Sequence, residues 1–199
     1  MKSKQEKYLG QIISTDGTNV KNIIFRAGKG AGMSRLIEKV LNHVPGGKFH
    51  FETAVIFRNA YLISTMLSCS EVWYDLTEWD VRKLEQTDET FLRHILNCSS
   101  QVTSEVLSLE LGLLPARFII KIRRLTYLHQ IMNQRNKNSL IFQFLMAQMN
   151  EPKKNYWGTQ VKKDLDKINM DINIIEQIST KKFKEIVREK KLQKFYLNI

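Results

Sequence analysis

Residues 103–132, TSEVLSLELGLLPARFIIKIRRLTYLHQIM, constrain the fold more than any other stretch, because they contain both halves of a helix corner. Thr103 or Ser104 offers a side-chain oxygen to cap a first helix, whose apolar contacts come from Val106, Leu107, Leu109 and Leu111. Gly112 stops that helix and Pro115 opens the next. A Gly just past a helix accepts the left-handed cap, and a Pro in a first turn lacks an N–H that would have no partner there. Two helices joined at a corner are therefore expected.

On the second helix, at about 100° per residue, Arg117, Lys121 and Arg124 fall in one narrow stripe. Phe118, Ile119, Ile122, Leu125 and Leu128 cover much of the remainder, so the helix is expected to be mostly buried with one basic ridge. The ridge is open to two readings: a solvated edge of a core helix, or a surface for nucleic-acid phosphates. Arg123 points elsewhere and needs a carboxylate or carbonyl partner, for which Glu110 is the candidate.

The charge distribution bears on that choice. The net charge is +11 over 199 residues, but residues 51–100 carry 4 basic and 8 acidic side chains, while residues 151–199 carry 12 and 7. A polarised basic chain is drawn to polyanions by long-range attraction and counterion release. With 43% hydrophobic and 26% charged residues the composition is that of a globular protein. Cys69 and Cys98 are the only cysteines, and His43, His50, His94 and His129 are scattered, so neither a disulfide framework nor a metal-ligand spacing is present. No uncharged run approaches the roughly 20 residues of a membrane span, and the first residues, MKSKQEKYLG, lack an apolar leader core. A soluble intracellular chain, cytoplasmic or nuclear, without a membrane partner is expected.

Residues 8–14 (YLGQIIS), bounded by Asp16-Gly17, read as a strand or half hairpin. With no further strand signal, the rest of its sheet is expected in sequence outside this chain. Thr18 or Asn19 caps a helix with Val20, Ile23, Ile24 and Ala27 at helical spacing. Inside it, Gly28, Gly30 and Gly32 each cost about 1 kcal/mol relative to Ala. They fit neither the GxxxxGK[ST] phosphate loop nor the GxGxxG dinucleotide turn, so close approach to another backbone, protein or nucleic acid, is the expected reason. The helix continues through residues 33–44 and Pro45-Gly46-Gly47 breaks it. Residues 49–67 are apolar nearly all the way round, as in a helix buried within a bundle, with Arg58 the odd member. Thr77 caps a segment bearing Trp79, Val81 and Leu84, and a further amphipathic helix carries Asp88, Phe91, Leu92, Ile95 and Leu96. Trp73 and Trp79 are expected in the core rather than as stacking platforms, because the acidic Glu71, Asp75, Glu78 and Asp80 around them would repel phosphate. Residues 139–149 read as a short apolar helix ahead of Pro152. Trp157, Val161, Leu165 and Ile168 mark one amphipathic helix of the tail. Phe183, Val187 and Phe195 mark another, studded with Lys181, Lys182, Lys184, Arg188, Lys190, Lys191 and Lys194.

The fold class expected is mainly α, a helical bundle preceded by a short strand or hairpin, in four segments: 1–17, 18–100, 101–150 and 151–199.

The order of these pieces resembles the region downstream of the catalytic motifs in LINE-type (non-LTR) retrotransposon reverse transcriptases. The residues that carry the resemblance begin with Lys7-Tyr8-Leu9-Gly10 and the following IIS-x-DG, then Arg26-x-x-Lys29-Gly30-x-Gly32, Arg58, and Ser70-Glu71-x-Trp73-Tyr74. Leu84-Glu85-x-x-Asp88 with Phe91-Leu92-Arg93 follows, then Leu109-Glu110-Leu111-Gly112 with Pro115, Ile122-Arg123-Arg124-Leu125, and Tyr156-Trp157-Gly158. The resemblance implies that Tyr8, Leu9 and Gly10 correspond to a primer-grip strand and the later helices to the thumb and connector. It implies contact with a template-primer or RNA/DNA duplex through Lys29, Arg117, Lys121 and Arg124, beside a palm domain that lies upstream in the family. The family's palm holds Mg2+ on an F/Y-x-D-D turn. No Asp-Asp pair occurs here, and two-metal nucleotidyl transfer needs those carboxylates. A non-catalytic fragment with no cofactor of its own is therefore expected. The alternatives are a stand-alone helical nucleic-acid-binding module and an inert relic of a transposable element.

Overall fold

The computed structural model describes residues 5–8, 10–43, 51–151, 153 and 156–197. Leu9, the Pro45-Gly46-Gly47 break, His50, Pro152 and the side chains of Lys191, Lys194 and Phe195 lie outside the described residues. The fold is mainly α with an N-terminal hairpin. The chain divides into two compact units, Met1–Ser68 with Leu76–Ala116, and Cys69–Asp75 with Arg117–Ile199. These are not the four successive segments read from the sequence, because a seven-residue loop of the first half belongs to the second unit.

The first unit begins with strands β1 (Gln5–Tyr8) and β2 (Gln11–Ser14), paired antiparallel from Gln5 opposite Ser14 to Tyr8 opposite Gln11. The strand read over residues 8–14 is split at Gly10, and its second half pairs with the segment just upstream, which is too polar to signal a strand. Gly10 sits in the tight connection at φ +78°. Asn22 fastens β2 to the first helix: its Oδ1 accepts from Ile12 N at 3.1 Å and its Nδ2 donates to Gln11 Oε1 at 2.7 Å.

Helix α1 (Val20–Asn42) buries Ile23, Ala27, Gly30, Ser34, Ile37 and Leu41, a four-three alternation that makes one continuous inward stripe. It meets α4 (Glu78–Leu96) closely at Gly30, where an added Cβ would lie 3.2 Å from both Met66 Sδ and Thr87 Cγ2. The tight contact thus falls at Gly30, and it is with the side chains of Met66 and Thr87 rather than with another backbone.

Helix α2 (Phe51–Phe57), a π-helical turn (Arg58–Ile63) and α3 (Ser64–Met66) form one run. It is not enclosed on all sides: Ala54, Leu62, Ile63 and Met66 are buried, but Ile56 and Tyr61 are exposed. Among the described residues its buried side chains lie toward α1 and α4. At the head of the π turn the fully buried Arg58 donates to Asp88 on α4, Nε to Oδ1 at 2.7 Å and Nη2 to Oδ2, and Nη1 reaches Asn59 Oδ1 at 2.9 Å.

Helix α4 is a single helix where two segments were expected. Thr77 starts it with a reciprocal cap, Asp80 N donating to Thr77 Oγ1 at 3.2 Å and Thr77 N to Asp80 Oδ2 at 2.9 Å. Trp79, on its first turn, is 52% exposed and not in the core. Helix α5 (Ser104–Glu110) is capped by Thr103, and Gly112 follows at φ +59°, as the corner requires. Ile37, Leu41, Ala54, Leu62, Phe91, Leu92, Leu107 and Leu113 form this unit's core, each large side chain contributing about 1.5–3 kcal/mol by leaving water.

The second unit holds the Cys69–Asp75 loop, α6 (Ala116–Met132, from Arg117 onward), α7 (Leu140–Asn150), α8 (Trp157–Asp166), the short α9 (Ile172–Ile175) and α10 (Thr180–Leu197). Its core joins Leu125, Leu128, Ile131, Leu145, Val161, Leu165, Ile175, Phe183 and Val187. Gly158 lets α8 approach α7: a Cβ there would fall 2.9 Å from Gln148 Cβ, and Gly158 N donates to Gln148 Oε1 at 2.8 Å. His129 is fully buried, stacked on Phe183 with ring centroids 4.6 Å apart and hydrogen-bonded through Nε2 to Ile178 O at 2.8 Å. No helix among the described residues is long and apolar enough to cross a membrane.

Candidate nucleic-acid interface

In the first unit the one residue expected to contact nucleic-acid phosphates, Lys29, lies on the outer side of α1. Lys29 is exposed there and borders a groove of about 700 Å³ shared with Ile24, Phe25, Gly28, Gly32 and Leu36. At Gly28 and Gly32 a Cβ would meet nothing within 4 Å, so these two glycines bare the helix backbone toward the groove. Lys7 Nζ and Lys29 Nζ lie 5.0 and 5.7 Å from the Phe25 ring centroid, a distance at which the ring's quadrupole attracts a cation. From the sequence Lys7 enters only as the first residue of the Lys7-Tyr8-Leu9-Gly10 motif and not as a nucleic-acid contact; its place beside Lys29 depends on the hairpin folding back along α1.

Tyr8 is exposed on β1, and Gly10 accepts through its carbonyl from Arg26 Nη2 at 2.7 Å. Arg26 is itself buried, with Nη1 donating to Thr65 O at 3.2 Å. Arg26 is thereby structural, since it pins the hairpin turn to α1 and to Thr65 after the π turn.

In the second unit the three-residue ridge does not form. Arg124 is only 3% exposed; Nη1 donates to Asp164 Oδ2 at 2.5 Å, and Nε and Nη2 donate to Trp73 O at 3.1 and 2.8 Å. A guanidinium with that set of partners is an interior clamp on the Cys69–Asp75 loop and is closed to a phosphate. Arg117 and Lys121 are half-buried. Burial, ahead of all charges, pushes Lys121 below the ordinary lysine range. Asp164 opposes this shift, and Lys167, Arg117 and Arg124 add to it. Lys121 Nζ lies 5.6 Å from the Phe118 ring centroid.

Arg123 is also half-buried, and burial lowers its pKa. The carboxylate whose charge opposes that shift is Glu71 rather than Glu110, because α6 packs against the loop that carries Glu71. Lys184 and Arg188, four apart among the cations of the tail helix and so on one face of α10, line the same cleft as Arg123.

Among the described residues no three His, Cys, Asp or Glu side chains converge as a metal centre would need. Comparison with protein-family models, with curated proteins and with solved structures finds no match to this chain.

Proposed function

We propose that this chain is the duplex-gripping thumb and connector region of a LINE-type reverse transcriptase, and that it binds the sugar-phosphate backbone of a template-primer duplex without carrying out catalysis. The observation that carries the reading is the α1 groove, where Gly28 and Gly32 bare the helix backbone beside Lys29, Lys7 and Phe25. A polyanion can come close to a helix at such a place, and contacts of this kind position a duplex without reading its bases. Arg117 and Lys121 supply further backbone contacts in the second unit. Arg124 supplies none.

The test is binding of an RNA/DNA hybrid duplex, followed by fluorescence anisotropy across a salt series. Lys29→Ala should reduce the slope of log affinity against log salt by about one for the lost phosphate contact. Gly32→Leu, which fills the groove on an exposed face, should weaken binding at every salt concentration. Slopes and affinities unchanged in both variants would remove the proposal.

A further inference from the structure

The second unit contains a cleft of about 700 Å³ that the duplex-gripping reading does not use. Arg123 and Thr126 on α6 line it opposite Lys184 and Arg188 on α10, with Tyr127 and Gln130 beside them. Three cations thus face one cleft in which, among the described residues, Glu71 is the one carboxylate, and two hydroxyls and an amide stand among them. Such a lining suits an anion that needs both charge and directed hydrogen bonds.

Tyr127 also lines a second, apolar groove of about 410 Å³, together with Tyr74, Phe144, Tyr156 and Trp157. Its ring meets that of Trp157 edge to face, with centroids 5.8 Å apart and planes at 72°. Trp157 is held in turn by its Nε1, which donates to Glu71 O at 2.8 Å. The aromatic wall is therefore fixed before any ligand arrives. Burial, with the Glu71 charge, raises the Tyr127 pKa and keeps its hydroxyl a neutral hydrogen-bonding group between the two cavities. Lys153 lies over the Tyr156 ring at 5.6 Å.

A cationic cleft that shares Tyr127 with an aromatic groove matches an unpaired nucleic-acid strand, whose phosphates need charge and whose bases need flat apolar faces. A duplex does not fit the pair, because its bases are already stacked on each other. A lipid headgroup or phosphopeptide would use the cations but leave the rings idle. We infer that the second unit holds a single-stranded nucleic acid, with a phosphodiester among Arg123, Lys184 and Arg188 and a base against Tyr127. The inference rests on the reading that this chain meets nucleic acid, but it concerns a different site and a different form of the polymer.

The intact chain is titrated with a single-stranded RNA oligonucleotide of about ten nucleotides, within the usual site size. Lys184→Ala with Arg188→Ala, both on exposed positions of α10, should weaken binding and reduce the salt slope by roughly 0.7 per lost contact. Tyr127→Leu should weaken binding about tenfold through lost stacking, and Tyr127→Phe much less. Cys69 borders the cleft and Cys98 belongs to the first unit, so bound oligonucleotide should slow alkylation of Cys69 and leave Cys98 unchanged. Lys29→Ala should spare oligonucleotide binding while lowering that of the duplex. An oligonucleotide whose affinity ignores the α10 substitutions, or that leaves Cys69 unprotected, overturns the inference. So does equal or tighter binding of inorganic phosphate or of phosphatidylserine vesicles. Loss of the duplex effect alone removes the groove on α1 and leaves this site standing.

Discussion

Arg58 in the first unit and Arg124 in the second are both buried arginines paired with an aspartate, and they do different work. Arg58 presents its forked face to both oxygens of Asp88, so charge and geometry are matched within one pair, with Asn59 and Leu114 O taking up N–H groups at 2.9 and 3.4 Å. Arg124 gives one N–H to Asp164 and two to the carbonyl of Trp73, and Asp164 Oδ1 is buried without a hydrogen-bond partner among the described residues. The first pair joins two helices. The second divides its guanidinium between a carboxylate and a loop, and so holds the Cys69–Asp75 segment in a unit whose other residues begin at Arg117. A buried ion pair is dear to break, because removing one partner strands the other away from water. How dear depends on what the survivor can still bond.

That contrast can be tested directly, and the largest effect is expected at Asp88. Asp88→Ala should destabilise the first unit by about 3–5 kcal/mol, read from the urea midpoint, since it removes both bonds of the fork at once. Asp164→Ala should be milder, about 2 kcal/mol, because Arg124 keeps its two bonds to Trp73 O. If Asp164→Ala proves the more damaging of the two, the sharing described for Arg124 is wrong.

The glycines of α1 allow a finer comparison within one helix. Gly30→Ala must push against Met66 and Thr87 and should lose about 1–3 kcal/mol. Gly28→Ala and Gly32→Ala have open space and helical backbones, and each should gain about 0.5–1 kcal/mol. A loss at Gly28 or Gly32 would mean that something covers the groove.

The smallest expected effect is at Lys121. Its folded pKa lies below the ordinary value of 10.5, so the folded state disfavours the charged form. The resulting penalty is full below the folded pKa and fades as pH rises from there toward the unfolded value. Stability should therefore climb across that alkaline window, and Lys121→Met should flatten the climb in urea midpoints measured against pH. An unaltered climb in the variant would assign it to another group.

Local chemistry was legible in the residues themselves. The cap at Thr103, the left-handed Gly112 and the corner before Ala116 follow from rules acting over a few residues, and the structure has them. The need for a reason behind the α1 glycines was legible too, but which glycine packs and which lies open was not. Helix α7 shows the limit: its residues read as a short apolar helix, with nothing to say which face is covered, and Leu140 is 82% and Phe144 62% exposed while Leu145 is buried. Of the expected site, Lys29 lies on an open face and Lys121 and Arg117 at a half-buried one, while Arg124 is enclosed.

The sequence by itself determined the caps at Thr77 and Thr103 and the left-handed stop at Gly112, and how side chains distribute around each helix axis, because those depend on dihedral preferences and neighbouring hydrogen bonds. It could not say which stripe would be covered. Arg117, Lys121 and Arg124 share a stripe on any helical wheel, but Asp164 lies 40 residues downstream of Arg124 and Trp73 lies 51 residues upstream. Only tertiary packing brought them to one guanidinium, and packing likewise brought Arg123 to the same cleft as Lys184 and Arg188. Burial is a property of what arrives from elsewhere in the chain, and no local pattern encodes it.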